Sequence, residues 1–152
     1  MSPIHTKELK PGVALITGGA KRIGKEIAKN LAYDGWKVII HYNKNSIAAK
    51  NLKNQITKRK GKAAIIKCDL NNNNSVKNLI EKSKKKFGNI SLLINKASKF
   101  ENDDIKNLNL ESWESHNNIN LKAPLILSRD FNNQLRKNTP GLIINIIDQR
   151  IF

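Results

Sequence analysis

Three glycines in a short turn, between an apolar run and a helical pattern, constrain this chain more than any other feature. Residues 13–24 read Val-Ala-Leu-Ile-Thr-Gly-Gly-Ala-Lys-Arg-Ile-Gly. The apolar start predicts a buried strand, and the glycines that follow predict a turn into a helix. The first N–H groups of a helix lack partners within the helix and carry a partial positive charge. The turn is therefore predicted to bind a phosphate group such as a pyrophosphate.

Apolar runs alternate with segments of helical periodicity along the whole chain. The predicted strands are Val13–Thr17, Lys37–His41, Ala63–Cys68, Ser91–Asn95 and Leu142–Ile147. Helical spacing joins Ile23, Ile27 and Leu31, then Ala48, Leu52 and Ile56, then Val76, Ile80 and Phe87. Strands that alternate with helices over short joints form parallel sheets covered by helices. With the Gly-rich turn in the first strand–helix unit, the pattern predicts a Rossmann-type, doubly wound α/β fold of about five strands and four helices.

The fourth helix is predicted to be the longest, from Ser112 to Leu135. Its apolar spacing places four side chains inward, those of Trp113, Leu121, Leu125 and Phe131. Pro124 has no backbone N–H, so it predicts a local kink. The chain length predicts one domain over residues 11–152, preceded by a loose tail over residues 1–10.

The composition argues against several classes of protein. Lys and Arg number 28 against 12 Asp and Glu, for a net charge of +16. The lysines are scattered and no aromatic residues interleave with them, which favours a solvated surface over a specific nucleic-acid site. The single cysteine, Cys68, excludes an internal disulfide framework and fits a reducing cytoplasm. The apolar runs are too short to cross a membrane. The three histidines, His5, His41 and His116, share no metal-ligand spacing, so no metal site is predicted.

Three later segments match, in order, a family that carries such a Gly-rich turn. Asn95-Lys96-Ala97-Ser98 follows the fourth strand, Asn118 to Pro124 lies in the fourth helix, and Ile143 to Asp148 includes the fifth strand. With the turn, they resemble the short-chain dehydrogenase/reductase family over residues 11–152. The resemblance implies an NADP-binding oxidoreductase that transfers hydride to a small-molecule substrate.

Four positions resemble the pteridine-reductase-like branch of that family. Arg22 stands where the general turn has its middle glycine, and His41-Tyr42 ends the second strand. Asn95 to Phe100 matches Asn-x-Ala-Ser-x-Phe, and Asp148 stands where most members carry a catalytic Ser. Lys96 departs from the family, which has a second Asn there. Its ammonium either extends to solvent or neutralises a nearby charge.

The resemblance assigns most of the candidate site to the cofactor. The implied cofactor-binding residues are Gly18, Lys21, Arg22, Ile23, Gly24, His41, Tyr42, Asn43, Lys44, Asp69, Leu70, Asn95, Ala97 and Ser98. Positions 41–44 contain no acid to bind the ribose hydroxyls, so NADPH is expected over NADH. Asp69 would bind the adenine amine, and Ser98 would lie near the nicotinamide ribose. The alternatives are ordinary surface charge for the basic residues and a turn cap for Asp69.

The same resemblance implies three residues on the substrate side. Phe100 would stack on a pterin ring, Asn120 would hold a water of the proton relay, and Asp148 would be a second catalytic residue. As alternatives, Phe100 is a core aromatic and Asn120 an ordinary polar residue of a helix.

The family's proton donor, a Tyr followed four residues later by a Lys on one helix, has no counterpart here. The chain contains Tyr33 and Tyr42 only. Lys37 follows Tyr33 at that spacing, but Gly35 breaks the helix between them. A general acid is commonly worth about 10²–10⁴ in rate. The chain is therefore predicted to stop before the catalytic helix and to be inactive alone.

Such a truncation predicts an incomplete sheet. Leu142–Ile147 would be left as an exposed apolar edge, which favours pairing with another chain. The first functional hypothesis is the N-terminal, cofactor-binding portion of an NADPH-dependent reductase of a pterin or carbonyl, from a family whose intact members are usually homo-oligomers. The alternative is a non-catalytic nucleotide-binding or partner-binding domain, and polyanion binding through the net charge is a weaker third.

Overall fold

One parallel sheet organises the computed structural model, which describes residues 9–101, 106 and 109–147. Its strands are β1 (Val13–Ile16), β2 (Lys37–Tyr42), β3 (Lys62–Lys67), β4 (Leu92–Asn95) and β5 (Leu142–Asn145). Their order across the sheet is β3-β2-β1-β4-β5. The chain winds outward from β1 to β3 and then crosses to the other side of β1, so the order reverses between β1 and β4. Open α/β sheets bind ligands at the carboxyl ends of the strands beside such a reversal.

Helices cover both faces of this sheet. They are α1 (Arg22–Tyr33), α2 (Ser46–Lys58), α3 (Asn73–Lys77), α4 (Leu79–Phe87), α5 (Leu110–Asn117) and α6 (Ala123–Gln134). A π-helical turn, Asn118–Lys122, joins α5 to α6. The third and fourth predicted helices are thus each divided, and the doubly wound α/β prediction is confirmed. Asn side chains cap α2, α3 and α5 by accepting backbone N–H groups of their first turns.

The core consists of two clusters, one on each face of the sheet. Neighbouring residues of a strand point to opposite faces, so Leu15 and Ile16 of β1 belong to different clusters. The Leu15 cluster includes Phe131 of α6, and the Ile16 cluster includes Leu52 of α2. Leu9, the first described residue, packs against the Ile16 cluster, and residues 1–8 of the expected tail lie outside the described ranges.

The inward face predicted for the fourth helix is wrong at three of its four positions. Phe131 is buried, whereas Trp113, Leu121 and Leu125 are 57%, 67% and 67% exposed. Two events shift the helical phase. The π-helical turn breaks the 3.6-residue period, and Pro124 beside it cannot donate a backbone hydrogen bond. The buried face of α6 therefore consists of Ala123, Leu127, Phe131 and Gln134.

A similar shift occurs in α1. Ile23, the first residue of its predicted apolar stripe, is 60% exposed, and Ile27 and Leu31 are only half-buried. The buried face consists of Gly24, Ala28 and Ala32. Small residues allow the helix to lie close to the sheet, which fixes the start of α1 beside the ends of the strands.

β5 forms one edge of the described sheet, as expected, and pairs with β4 from Leu92↔Leu142 to Asn95↔Asn145. Its apolar side chains are partly uncovered, with Leu142 45% and Ile144 39% exposed. Within the described ranges, no helix combines the length and the apolar character needed to cross a membrane.

Candidate functional site

The Gly-rich turn, residues 17–21, connects β1 to α1 at the carboxyl edge of the sheet, and glycines in the turn and at the start of α1 allow two close backbone contacts. A Cβ on Gly24 would lie 2.4 Å from the carbonyl oxygen of Gly18, and one on Gly18 would lie 3.0 Å from Cα of Ala97. Gly18 also has a φ of +62°, in the left-handed region that favours glycine. Lys21, at the N-cap of α1, makes no side-chain capping bond. The first N–H groups of α1 are therefore left for an anion.

Basic side chains surround this helix start. Lys21, Arg22 and Lys25 line a cleft of about 420 Å³ between α1 and α2, whose other walls include Asn51 and Gln55. Arg22 opens the helix with a φ of +50°, a conformation that costs a residue with a Cβ roughly 1–2 kcal/mol. The guanidinium is exposed, so it is free to reach a phosphate in the cleft.

Hydrogen bonds tie the turn to the neighbouring strands. The Thr17 hydroxyl accepts the backbone N–H groups of Lys96 (2.9 Å) and Ala97 (3.0 Å), just after β4. On the other side, the N–H of Gly18 donates to Nδ1 of His41 at 3.0 Å. Thr17 had no role in the sequence-based hypothesis, although a hydroxyl directly after a buried strand signals such a contact.

A polar cavity of about 730 Å³ extends from the ends of β2 and β3. Its lining includes Asn43, Lys44, Asp69, Ser98 and Phe100. The carboxylate of Asp69 accepts the side-chain amide of Asn43 (3.2 Å) and the backbone N–H of Asn71 (3.0 Å). Both bonds hold Asp69 at the cavity while the side chain stays exposed. Leu70 is buried beside it, and Tyr42 is half-buried at the end of β2.

His41 lies beneath this cavity rather than on its surface. The side chain is 2% exposed, and both ring nitrogens contact backbone groups. Burial lowers the pKa of His41, against smaller opposing effects from the Cys68 carbonyl and the Asp69 carboxylate. Burial also raises the pKa of the neighbouring Cys68 thiol to about 11, so this thiol stays protonated and inert at neutral pH.

A second, mainly apolar cavity of about 560 Å³ lies at the ends of β4 and β5. Its lining includes Asn95, Ala97, Phe100, Asn120 and Asn145. Asn95 donates a 2.9 Å hydrogen bond to the Asn145 side chain, and the buried Oδ1 of Asn95 accepts none from the described residues. Asn145 was not among the predicted site residues. Asp148, which was, lies outside the described residues.

The segment after β4, residues 98–101, runs between the two cavities and is held by polar side chains. Asn120 accepts the N–H of Lys99 and donates to its carbonyl oxygen, both at 2.8 Å. His116 accepts the N–H of Glu101 at 3.1 Å, and a hydrogen bond from Lys99 lowers the pKa of the Glu101 carboxyl. Phe100 lies between these attachments and is 56% exposed.

The two tyrosines lie in other settings. Tyr33 is the last residue of α1 and Lys37 the first of β2, so no helix carries both. The guanidinium of Arg59 lies 5.3 Å from the centre of the Tyr33 ring. Across residues 9–101, 106 and 109–147, no three His, Cys, Asp or Glu side chains form a group that could hold a metal ion.

Known proteins match both the sequence and the fold of this chain. The model of a family described as short chain dehydrogenase matches residues 12–149. The chain belongs to the short chain dehydrogenase family. An uncharacterised oxidoreductase of Thermotoga maritima from the curated proteins is 33% identical over 144 residues, covering 95% of this chain and 56% of that protein. The 3-oxoacyl-(acyl-carrier-protein) reductase of a Synechocystis strain is 31% identical, covering 88% of this chain and 54% of that protein.

Solved structures of short chain dehydrogenases share the fold as well. FolM alternative dihydrofolate reductase 1 from Brucella canis, crystallised with NADP, superposes with a TM-score of 0.88 at 37% identity. The match covers 93% of this chain and 56% of that one. The chain thus spans about half the length of the relatives it matches.

Proposed function

We propose that this chain is the cofactor-binding portion of an NADPH-dependent short-chain reductase. The observation that carries the proposal is the start of α1, which has no side-chain cap. Gly18 and Gly24 approach each other closely there, and a basic cleft lies beside them. This combination offers N–H donors, close backbone approach and positive charge at one place, as a dinucleotide phosphate requires. The NADP in the Brucella canis structure supports the same ligand.

The cofactor would extend along the carboxyl edge of the sheet. Its pyrophosphate would bind at the start of α1, and its 2′-phosphate would face the cations Arg22 and Lys44. The adenine would lie at Asp69 and Leu70. The carboxylate of Asp69 is already held at the polar cavity by its two hydrogen bonds. The nicotinamide end would pass Asn95, Ala97 and Ser98 into the apolar cavity. When bound, NADPH supplies the hydride.

The substrate class we propose is a pterin or another small cyclic imine or carbonyl. Phe100 lines the apolar cavity and is partly exposed, and its neighbours Lys99 and Glu101 are held by Asn120 and His116. Its ring would therefore be available to stack on a flat substrate. The likeness to a dihydrofolate reductase of Brucella canis supports this class. Asn120 and Asp148 would serve the proton relay, and the setting would be the cytoplasm.

Turnover by this chain alone is proposed to be no more than trace. The family's acid is a Tyr beside a Lys, and neither Tyr33 nor Tyr42 has that arrangement. This observation also favours the second candidate, a domain that binds the nucleotide without catalysis.

Calorimetric titration with NADPH and NADH, followed by an absorbance assay with dihydrofolate and a quinonoid dihydropterin, tests both proposals. Tighter binding of NADPH than NADH with negligible turnover is expected. Absence of NADPH binding would refute the cofactor proposal. Rapid turnover by the chain alone would refute the need for a further acid.

A further inference from the structure

His41 occupies a position between the two halves of the proposed NADPH site. It lies near the end of β2, with the Gly-rich turn on one side and the end of β3 on the other. Nδ1 accepts the N–H of Gly18 at 3.0 Å, and Nε2 lies 3.0 Å from the carbonyl oxygen of Cys68. A ring nitrogen that accepts is unprotonated, and one that faces a carbonyl must donate. The two contacts together define a neutral imidazole with its proton on Nε2.

The backbone of the same strand end reinforces both links. The carbonyl oxygen of His41 accepts the N–H of Gly19 at 3.1 Å, so this one residue holds two consecutive residues of the turn. On the other side, the N–H of Cys68 donates to Tyr42 at 3.0 Å. Cys68 directly precedes Asp69, which lines the polar cavity. The imidazole therefore connects the phosphate turn to the residue proposed to bind adenine.

We infer that His41 is a positioning residue for the dinucleotide: Nδ1 of its neutral ring accepts the N–H of Gly18 and so holds the Gly18–Gly19 turn in place, without touching the cofactor. The inference rests on the proposed function, since it assumes that NADPH occupies this edge. It differs from the role implied by the family resemblance, which counted His41 among the cofactor-contacting residues. With both nitrogens bound to backbone and the ring buried, the side chain has no polar atom left for a ligand. Burial also lowers the pKa of His41, which keeps the ring neutral.

Side-chain geometry allows the two links to be separated. The amide of an Asn places its oxygen near the position of Nδ1, whereas the amide of a Gln reaches the position of Nε2. His41→Asn can therefore still accept from Gly18, His41→Gln can still donate to Cys68, and His41→Leu can do neither. Calorimetry with NADPH and thermal unfolding would be measured for all three variants and for the unaltered protein.

The expected order of NADPH affinity is specific to the inference. His41→Leu and His41→Gln should bind about tenfold more weakly than the unaltered protein, the size expected for a lost hydrogen bond that orders a loop. His41→Asn should stay within about threefold, because it keeps the bond to the turn. Nitrogen chemical shifts of the imidazole should report an unprotonated Nδ1 and a protonated Nε2. If His41→Leu fails to fold, the comparison of His41→Asn with His41→Gln alone decides.

Three results would overturn the role of His41. The first is an equal NADPH affinity in every variant. The second is an equal loss of NADPH affinity in His41→Asn and His41→Gln, and the third is a ring that carries its proton on Nδ1. If the unaltered protein binds no NADPH, the proposed function itself fails. That failure can be told apart from the three results above, because in each of them the unaltered protein still binds NADPH.

Discussion

The carbonyl oxygen of Gly18 faces Cα of Gly24 so closely that a Cβ at Gly24 would lie 2.4 Å from it. The same Cβ would be 3.0 Å from Cα of Gly19. Both neighbours are backbone atoms, so no side-chain rotation can relieve the contact. The first turn of α1 and the Gly-rich turn can therefore keep their mutual position only with glycine at residue 24.

Gly24→Ala should disrupt the proposed phosphate site as well as the fold. Forcing one extra carbon into this contact should cost about 1–3 kcal/mol of unfolding free energy. Because the turn must move away from α1, NADPH affinity should fall by more than about tenfold. Urea unfolding and calorimetry measure the two effects.

Gly88→Ala is the matched control for this prediction. Gly88 ends α4 with a φ of +89°, and no atom lies within 4 Å of a Cβ built there. With a ψ of −165° as well, Gly88 lies in a region that essentially only glycine adopts, so this change should destabilise the chain by about 1–3 kcal/mol through backbone strain alone and leave NADPH affinity unchanged. Equal affinity losses in both variants would contradict the role given to Gly24.

Arg22→Gly should separate stability from binding. Arg22 has a φ of +50°, and glycine adopts this conformation at no steric cost, so the variant should unfold at the same temperature or higher. The exposed guanidinium would be lost from the basic cleft, and NADPH affinity should fall about tenfold. Thermal unfolding and calorimetry provide the comparison.

The control for Arg22 is a second cation of the same cleft. Lys25 lies within the regular part of α1, so Lys25→Ala relieves no backbone strain. It should weaken NADPH binding less than Arg22→Gly does. A parallel fall of stability and affinity in Arg22→Gly would show that the arginine supports the fold rather than the ligand.

Much of the fold follows from patterns that are local in the sequence. The glycines of the turn and the apolar runs of Val13–Ile16 and Lys37–Tyr42 each determine their own structure within a few residues, and the parallel sheet was predicted from them. The inward face of the fourth helix was not. Whether Leu125 or Leu127 faces the core depends on the phase set by the π-helical turn, which helical periodicity does not reveal.

For the candidate site, the sequence likewise predicts which segments come together but not the contacts between them. The sequence indicates that Gly18 and Asp69 belong to the ends of different strands, and parallel pairing brings those ends together. It does not indicate the contacts between them. The bonds from His41 to Gly18 and Cys68 span 23 and 27 residues, and only the folded sheet shows that they occupy both ring nitrogens. A histidine that a motif assigns to the ligand can thus serve the scaffold.

Lys44→Glu should alter the choice between the two nicotinamide cofactors. Lys44 is exposed in the polar cavity after β2, where an acid would accept ribose hydroxyls and repel a 2′-phosphate. The affinity ratio of NADPH to NADH should fall by about tenfold or more. Lys50→Glu, which makes the same charge change on the exposed side of α2, should leave the ratio nearly unchanged. Equal ratios in the two variants would mean that overall charge, not position 44, sets the preference.

The stability of the chain should depend on pH through His41. Burial lowers the pKa of this ring below its ordinary value of 6.5, so the unfolded chain binds the proton more readily than the folded chain. The contribution of His41 to the unfolding free energy should therefore be constant above about pH 6.5. It should fall as the pH drops toward the pKa of the folded state. Because one proton is involved, the unfolding free energy can change by at most about 1.4 kcal/mol per pH unit through His41. Urea unfolding at a series of pH values from neutral to mildly acidic measures it.

His41→Asn isolates this contribution, because His5 and His116 are present in both proteins and their effects cancel in the difference. The variant keeps an acceptor for the N–H of Gly18 but has no proton to gain, so its unfolding free energy should decline less between neutral and mildly acidic pH. Superimposable pH profiles would mean that the buried imidazole takes up its proton without opening the turn. Protonation of Nδ1 removes the acceptor for Gly18, so NADPH affinity should decline over the same pH range in the unaltered protein and less in the variant.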